Sequence, residues 1–214
     1  MCEDLFTRHT SAQCAVHARS HSLRTYLGLL AVGLIATTAR ASDSLGGCFP
    51  ITLDDVASLN PPAFDHYPAK RVSGQPSKVD LASHPLAHRY RTMLRTQARE
   101  GANFAGHYAI AGWGCGSSCL QFAIIDSTTG KVYFPPDIVS VSTVHVDETP
   151  TEPEPTFNGL RYSASSRLLI VLGAANEDAS REGIAYYEWT GKALERIRWF
   201  KSEKTDWCEE FRDQ

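Results

Sequence analysis

The stretch GANFAGHYAIAGWGCGSSCLQFAIID, residues 101–126, decides the fold, because it reads as two apolar strands joined by a glycine-rich turn. Phe104–Trp113 and Leu120–Asp126 are rich in aromatic and β-branched residues, which favour strands. The turn between them carries two cysteines four positions apart. We therefore expect a β-hairpin whose tip is closed by a disulfide between Cys115 and Cys119.

More strands follow this hairpin toward the C-terminus. Short apolar runs alternate with turns rich in Ser, Thr and Gly, which is typical of hairpins. Because strands joined by tight turns run antiparallel, the pattern predicts a largely antiparallel sheet. The expected additional strands cover residues 131–134, 138–146, 160–163, 168–173, 184–190 and 193–201.

One amphipathic helix precedes the hairpin. Pro85 suits a first helical position, apolar residues recur at helical spacing after it, and Gly101 can end the helix. The region Ser42–Lys78 holds five prolines, so we expect no more than a short helical turn there, near Leu53–Ser58. The predicted fold is α+β and β-rich: an antiparallel meander of hairpins with one main helix, residues 85–100, packed on it and disulfides stapling it.

Residues 23–41 predict export. Arg24 precedes an apolar run that is too short to span a bilayer comfortably, and Ala39-Arg40-Ala41 offers small residues to a signal peptidase. We expect a cleaved signal peptide over residues 1–41, with an over-extended start, and a single exported β-rich domain over residues 42–214. An uncleaved anchor is the less favoured alternative. The mature protein is expected in the periplasm or secreted, away from the membrane.

Four of the six cysteines lie after the predicted signal. An even number of cysteines in an oxidising compartment predicts disulfides, and four cysteines allow three pairings. We favour Cys115–Cys119 together with Cys48–Cys208, which would join the two ends of the domain.

The charge of the chain argues against nucleic acid as a partner. The formal net charge is −3, whereas nucleic-acid-binding domains present a basic face.

The loop Asp147–Pro155 is rich in acids and prolines. Glu152 and Glu154 in this loop are candidate contacts for a basic protein partner, such as an envelope or cell-wall enzyme. The alternative is a plain solvated linker. The arginines on the outer side of the helix also have two interpretations. They form a patch that binds anions or, preferably, a solvated face of the helix.

The glycine-rich hairpin holds the other candidate site residues. His107, Trp113, Ser117 and Ser118 are candidate binding residues, and in a hydrolase His107 would serve as base, with Asp126 or one of the two serines as its polar partner. The structural alternative is a buried histidine, a packing tryptophan and a disulfide ring that pins the hairpin tip.

Three other chemistries compete for the turn. A cysteine-protease pattern fails on spacing, since too few residues follow for its histidine. A redox-active disulfide is open, although the two cysteines are separated by three residues and not two. A zinc site would need Cys115 and Cys119 with His107 and His145, in a spacing that matches no zinc signature. We therefore predict no metal and no cofactor.

The motifs NFAGHY, WGCGSSC and AIID followed by TTGKVYFPP resemble those of an uncharacterised family of exported bacterial proteins. The similarity extends over roughly Leu86–Phe200, and residues 103–119 are its specific part. The resemblance implies a compact β-rich domain in the periplasm or outside the cell. It implies no activity and no catalytic residues.

These observations favour an exported binding, inhibitory or immunity-type module that recognises a protein or a cell-wall component, without catalysis. The alternative is a small periplasmic hydrolase, or a redox or metal site, around His107 and the Cys115–Cys119 turn. The sequence leaves the oligomeric state and the identity of the ligand open.

Overall fold

Nine strands form one sheet within the part of the chain that the structure describes. The structure is a computed structural model that describes residues 44–46, 51–74, 76–147 and 159–203. The strands are β1 (Ser44–Gly46), β2 (Tyr108–Gly116), β3 (Cys119–Asp126), β4 (Val132–Tyr133), β5 (Val141–Ser142), β6 (Leu160–Tyr162), β7 (Leu168–Ala175), β8 (Glu182–Trp189) and β9 (Leu194–Glu203).

The sheet is antiparallel, as the sequence predicts. Its order is β1-β9-β8-β7-β5-β3-β2, with β4 beside β3 and β6 beside β7. Among these strand pairs only β1 and β9 run parallel. The predicted β-rich fold with one main helix and a Cys115–Cys119 disulfide is therefore confirmed.

The short strand β5 joins two larger halves of the sheet, β2–β3 and β7–β9. Its two residues pair with β3 on one side and with β7 on the other. Apolar side chains from both halves, such as Ile124 of β3 and Val171 of β7, belong to one buried cluster. The sheet therefore folds over a shared core, and each half keeps a second, outer face.

Each outer face is covered by a different segment. The helix α1 (Arg91–Glu100) places Leu94 and Ala98 against β2 and β3. A 3₁₀ helix at Leu53–Leu59 places Val56 in a cluster with side chains of β7 and β8, and a second 3₁₀ helix follows at Phe64–His66. Both halves are thus buried on two sides, which explains why β7 is buried along its whole length.

The helix begins later than the sequence predicts. Residues 85–90 form turns, and the α-helix starts at Arg91 and not near Pro85. The His84 ring accepts a hydrogen bond from the Leu86 N–H at 3.2 Å, while the Ala87 N–H bonds the His84 carbonyl at 3.0 Å. These local bonds hold the chain in tight turns before the helix begins.

Other predicted strands differ in their bounds. The run at 138–146 contributes only Val141–Ser142, because the Thr143 N–H bonds Ser118 O and the Val146 N–H closes a turn onto Thr143 O. The run that begins at Phe104 enters the sheet only at Tyr108, because a left-handed turn intervenes.

Candidate functional site

The hairpin of β2 and β3 has two ends, which we call the cleft end and the tip end, and the candidate residues are divided between them. At the cleft end β2 begins and β3 ends, which places His107 beside Asp126. At the tip end β2 turns into β3, which places Ser117 and Ser118 beside the disulfide. The nine residues of β2 separate the two ends, and at roughly 3.3 Å per residue that separation is roughly 25 Å. His107 and the Cys115–Cys119 turn therefore lie in separate regions, and the alternative hydrolase, redox or metal site would have to be built at one end alone.

A left-handed turn directs His107 into the cleft end. Ala105 and Gly106 have φ angles of 44° and 88°, a conformation that ordinary side chains rarely adopt. A Cβ atom at Gly106 would overlap the carbonyl oxygen of Lys70, so only glycine lets these two backbones meet. The Val72 N–H then bonds Gly106 O at 3.2 Å. Because strained backbone concentrates at functional sites, this turn makes the surrounding region a candidate functional site.

Asn103 fixes the other side of the same turn. Its side-chain oxygen accepts the Ile110 N–H at 2.8 Å, and its amide group donates to Ile110 O at 3.3 Å. The backbones of Phe104 and Tyr108 exchange two further bonds of 2.9 Å. The NFAGHY motif is therefore a rigid unit, and its physical role is to present His107 and Tyr108.

His107 lies between a carboxylate and an aromatic ring. Its Nε2 atom is 3.8 Å from Oδ1 of Asp126, and the centre of its ring is 4.2 Å from that of Tyr108. Its side chain is 29% exposed. The imidazole is therefore held in place and still reachable from solvent. The sequence placed His107 within a strand, which is wrong, since it immediately precedes β2.

Asp126 is an ionised group held by the turn that follows it. Its Oδ1 atom accepts bonds from the Thr128 N–H at 2.8 Å, the Thr128 hydroxyl at 2.6 Å and the Thr129 N–H at 3.3 Å. Burial raises the pKa of Asp126, but the bonds from Thr128 and Thr129 outweigh burial and leave it below its ordinary value. A fixed negative charge therefore stands beside His107.

A cleft of about 560 Å³ opens beside His107. It lies where the segment around Lys70 crosses the ends of β2 and β8. Aromatic, cationic, anionic and small polar side chains share its wall. The lining residues are Pro68, Ala69, Lys70, Ala105, His107, Tyr108, Arg167, Glu188, Trp189, Thr190 and Gly191.

Hydrogen bonds brace one wall of this cleft. Arg167 donates from Nε and Nη2 to Oε1 of Glu188 at 3.1 and 2.9 Å, and from Nη1 to Pro68 O. Glu188 is thereby neutralised. Lys70, in contrast, has no acidic partner among the residues that the structure describes. The cleft therefore presents one uncompensated positive charge.

Tyr108 forms part of the opposite wall. Its ring packs edge-on against Trp189 with centres 5.2 Å apart, and its Oη atom lies 3.5 Å from Gly191 O. Burial and then the charge of Asp126 raise the pKa of Tyr108 above its ordinary value. The phenol is therefore neutral at physiological pH and can donate a hydrogen bond.

Trp113 is a packing residue and is not available to a ligand. It is 7% exposed and lies in the cluster between α1 and the sheet. Its ring stacks on Tyr90 with centres 4.4 Å apart, and its Nε1 atom donates to Gln121 at 3.2 Å. This burial favours the structural alternative, a packing tryptophan, over the predicted binding role of Trp113, because Tyr90 and Phe134 pack against its ring.

The tip end is closed covalently. The predicted Cys115–Cys119 disulfide is present, and Ser117 and Ser118 are exposed beside it. Ser118 takes a left-handed conformation, with a φ of 49°. The zinc alternative is excluded at this turn because the two sulfurs are bonded to each other. Within residues 51–74, 76–147 and 159–203, no group of three or more potential ligands is placed to hold a metal ion.

Several predicted features lie outside the described residues. These are the signal peptide, the Cys48–Cys208 pair and the loop residues Glu152 and Glu154. In the portion that the structure covers, no helix has the length and apolarity needed to cross a bilayer. The disulfide is compatible with an extracellular location, since such bonds persist in oxidising compartments.

Comparisons with known proteins add no family to this description. Protein-family models, curated proteins and solved structures gave no match to the chain. The resemblance to exported bacterial proteins stays a prediction, and the site must be interpreted from its own geometry.

Of the eleven residues that line the cleft, sequence reasoning selected only His107 as a candidate site residue. Lys70, Arg167 and Glu188 come from segments far apart in the chain, and none of them stands in a recognisable motif. The backbone bonds that hold the Lys70 segment here, from the Ala69 N–H to Ser165 O and from the Val72 N–H to Gly106 O, join residues far apart in the chain. No pattern in the sequence signals that approach.

Proposed function

We propose that this protein is an exported binding module that holds a segment of a protein partner or of the cell wall in the cleft beside His107. The observation that carries the proposal is the cleft itself, an open volume of about 560 Å³ in which fixed polar groups and aromatic rings converge. Such concave sites, mostly formed before the ligand arrives, are the usual location of ligand binding.

Preorganisation of the wall favours binding. The NFAGHY turn holds His107 and Tyr108, and the Arg167–Glu188 pair holds the opposite wall. A ligand therefore meets side chains that are already ordered, so that less conformational entropy is lost on association.

The charge of the cleft selects the ligand chemistry. Lys70 is uncompensated, whereas Glu188 is neutralised by Arg167, and Asp126, beside His107, does not line the cleft. A carboxylate of a peptide or of a wall fragment would match Lys70, and the Tyr108 hydroxyl would turn from its long 3.5 Å bond with Gly191 O to a second oxygen of the same ligand. We therefore expect an acidic ligand group at this point.

The test uses paired variants of the full-length protein. Wild type and Lys70→Ala/His107→Ala are compared for binding of soluble peptidoglycan fragments and for capture of envelope proteins. Lys78→Ala/His88→Ala removes the same residue types at exposed positions outside the cleft and serves as the control. Circular dichroism verifies that each variant is folded.

A ligand that binds wild type and the control but is lost in the cleft variant supports the proposal. Absence of binding to both wall fragments and envelope proteins contradicts it. Equal binding by the cleft variant also contradicts it, since the ligand would then lie elsewhere.

A second candidate is a hydrolase, favoured by the 3.8 Å approach of Asp126 to His107 in an open cleft. A carboxylate near a histidine can stabilise the imidazolium that forms when the histidine acts as a general base. Ser117 and Ser118 lie at the other end of β2, so His107 would have to activate water. Incubation of wall fragments with wild type and with His107→Ala distinguishes the candidates. New products formed by wild type alone favour the hydrolase, and unchanged fragments that stay bound favour the binding module.

A further inference from the structure

The outer side of α1 carries a row of arginines that the cleft does not use. Arg91, Arg95 and Arg99 follow one another at intervals of four residues, and all three are exposed. Residues four apart in a helix lie one above another on the same face, with a rise of about 6 Å. The three side chains therefore form one ridge about 12 Å long. We call Arg91, Arg95 and Arg99 the arginine ridge.

The arginine ridge has no acidic counterpart. No Asp or Glu forms an ion pair with these arginines within the described residues, and Arg91 donates only to the backbone oxygen of His88, at 3.2 Å. The whole chain carries a net charge of −3, so this concentration of positive charge is local.

The ridge also works against the stability of its own helix. Like charges four residues apart repel each other, and both successive pairs of the ridge are like charges. Positive charge in the first turn opposes the helix dipole, yet that turn has Arg91 and no acidic residue. Of the three arginines, only Arg99, in the last turn, interacts favourably with the helix dipole. Because this charge pattern lowers the stability of the helix, stabilisation of the helix does not explain it.

We propose that the arginine ridge binds the surface of a membrane that contains anionic phospholipids. Guanidinium groups pair with phosphate through two parallel hydrogen bonds. The ridge lies on the convex side of a helix, so it can touch an extended surface but cannot enclose a small anion. The middle of that helix side carries Thr92 and Thr96 and no aromatic anchor, whereas protein interfaces rely on such anchors.

The contact is peripheral and needs no inserted segment. Leu94 and Ala98, three positions after Arg91 and Arg95, fix α1 to the sheet beside the ridge, so the whole domain would lie on the surface without unfolding. Each arginine close to an anionic surface strengthens binding by about fivefold, and three therefore contribute about 100-fold.

Vesicle sedimentation of the protein purified after export and processing tests the proposal, so that the predicted apolar signal segment takes no part in binding. Vesicles of phosphatidylglycerol mixed with phosphatidylcholine are compared with vesicles of phosphatidylcholine alone. Wild type is expected to bind only the anionic vesicles, and Arg91→Gln/Arg95→Gln/Arg99→Gln is expected to lose about 100-fold in affinity. Glutamine is a good helix former, and the change removes repulsion, so the variant keeps its fold.

Two further variants complete the design. Arg71→Gln/Lys78→Gln/Lys192→Gln removes the same charge at exposed positions elsewhere and should bind anionic vesicles as wild type does. Replacement of the three ridge arginines by lysine keeps the charge and should keep most of the binding. Absence of binding to anionic vesicles overturns the proposal, as does equal loss in the two glutamine variants. Binding of inorganic polyphosphate without binding of vesicles also overturns it.

Discussion

The cleft end and the tip end of the same hairpin are both rich in glycine, but for different physical reasons. At the cleft end Gly106 allows the Lys70 backbone to approach so closely that no Cβ atom would fit. At the tip end Gly114 has open space, and a Cβ atom added there would be 3.9 Å from its nearest neighbour. The cleft end is thus rigid through close packing, and the tip end through its disulfide.

This difference indicates which end is suited to hold a ligand. The cleft end gathers residues from several distant segments into one concave wall. The tip end exposes a small ring, and residues 114–118 are all exposed. A motif that looks continuous in the sequence therefore serves two purposes, one at each end of β2.

The largest expected effect is that of alanine in place of Gly106. A Cβ atom there overlaps backbone and also occupies a strained φ, so Gly106→Ala should lower the free energy of unfolding by about 3 kcal/mol. Gly114 has room for a Cβ atom and no positive φ, so Gly114→Ala should change the free energy of unfolding by less than about 0.5 kcal/mol. Urea denaturation of both variants measures the contrast. Similar losses at the two positions would remove the distinction between the ends.

Asp126→Ala should produce the next largest effect. The change removes the acceptor of three hydrogen bonds from Thr128 and Thr129 and should lower the free energy of unfolding by about 2 kcal/mol. Because the pKa of Asp126 is lower in the folded protein than its ordinary value of 3.8, its contribution is present at neutral pH. It is lost as the pH falls below that ordinary value toward the folded pKa.

Acid unfolding therefore provides the check on Asp126. The difference in the free energy of unfolding between wild type and Asp126→Asn should be largest near neutral pH and should shrink below about pH 4. A difference that stays constant from neutral pH into acid would show that the carboxylate charge of Asp126 does not matter.

Removal of the tip disulfide should have a smaller and more local effect. A ring of only five residues restricts the unfolded chain little, so Cys115→Ser/Cys119→Ser should lower the free energy of unfolding by roughly 1–2 kcal/mol. Ligand binding in the cleft should be unchanged, since the two ends are separated by the length of β2. A loss of ligand binding in this variant would contradict the separation of the two ends.

The smallest effect concerns Tyr186, which is buried in β8, and appears only in alkali. Burial raises the pKa of Tyr186 to about 12. An unfolded tyrosine ionises from about pH 10, so the free energy of unfolding should fall by about 1 kcal/mol near pH 11. Tyr186→Phe should reduce this fall in the free energy of unfolding. Urea denaturation at pH 9 and pH 11, about one unit below and above the ordinary pKa of tyrosine, measures the difference. An identical fall in the variant would assign the alkaline instability to other groups.

The sheet was predictable because its signals are local. Alternation and turn residues locate the hairpin at 101–126 and the later pairs such as β7 and β8, and the cysteine spacing predicts the tip disulfide. The errors have local causes as well. The His84 ring holds turns where a helix was expected, and the left-handed turn at Ala105 delays β2.

The site was predictable only in part, because a cleft is built from distant segments. The sequence singles out His107 and Asp126, which the structure brings to 3.8 Å. It gives no sign that Lys70 and Glu188 join them, since both come from segments without a motif. It also selects Trp113 for its place in the glycine-rich segment, although Tyr90 and Phe134 pack against that ring.

Photo-crosslinking in the cell envelope tests the central claim most directly. A photoreactive phenylalanine analogue is placed at Thr190, which is exposed and lines the cleft, or at Ser117, which is exposed at the tip. Our account predicts an adduct with a partner protein or wall fragment from position 190 and none from position 117. An adduct from position 117 alone would contradict it.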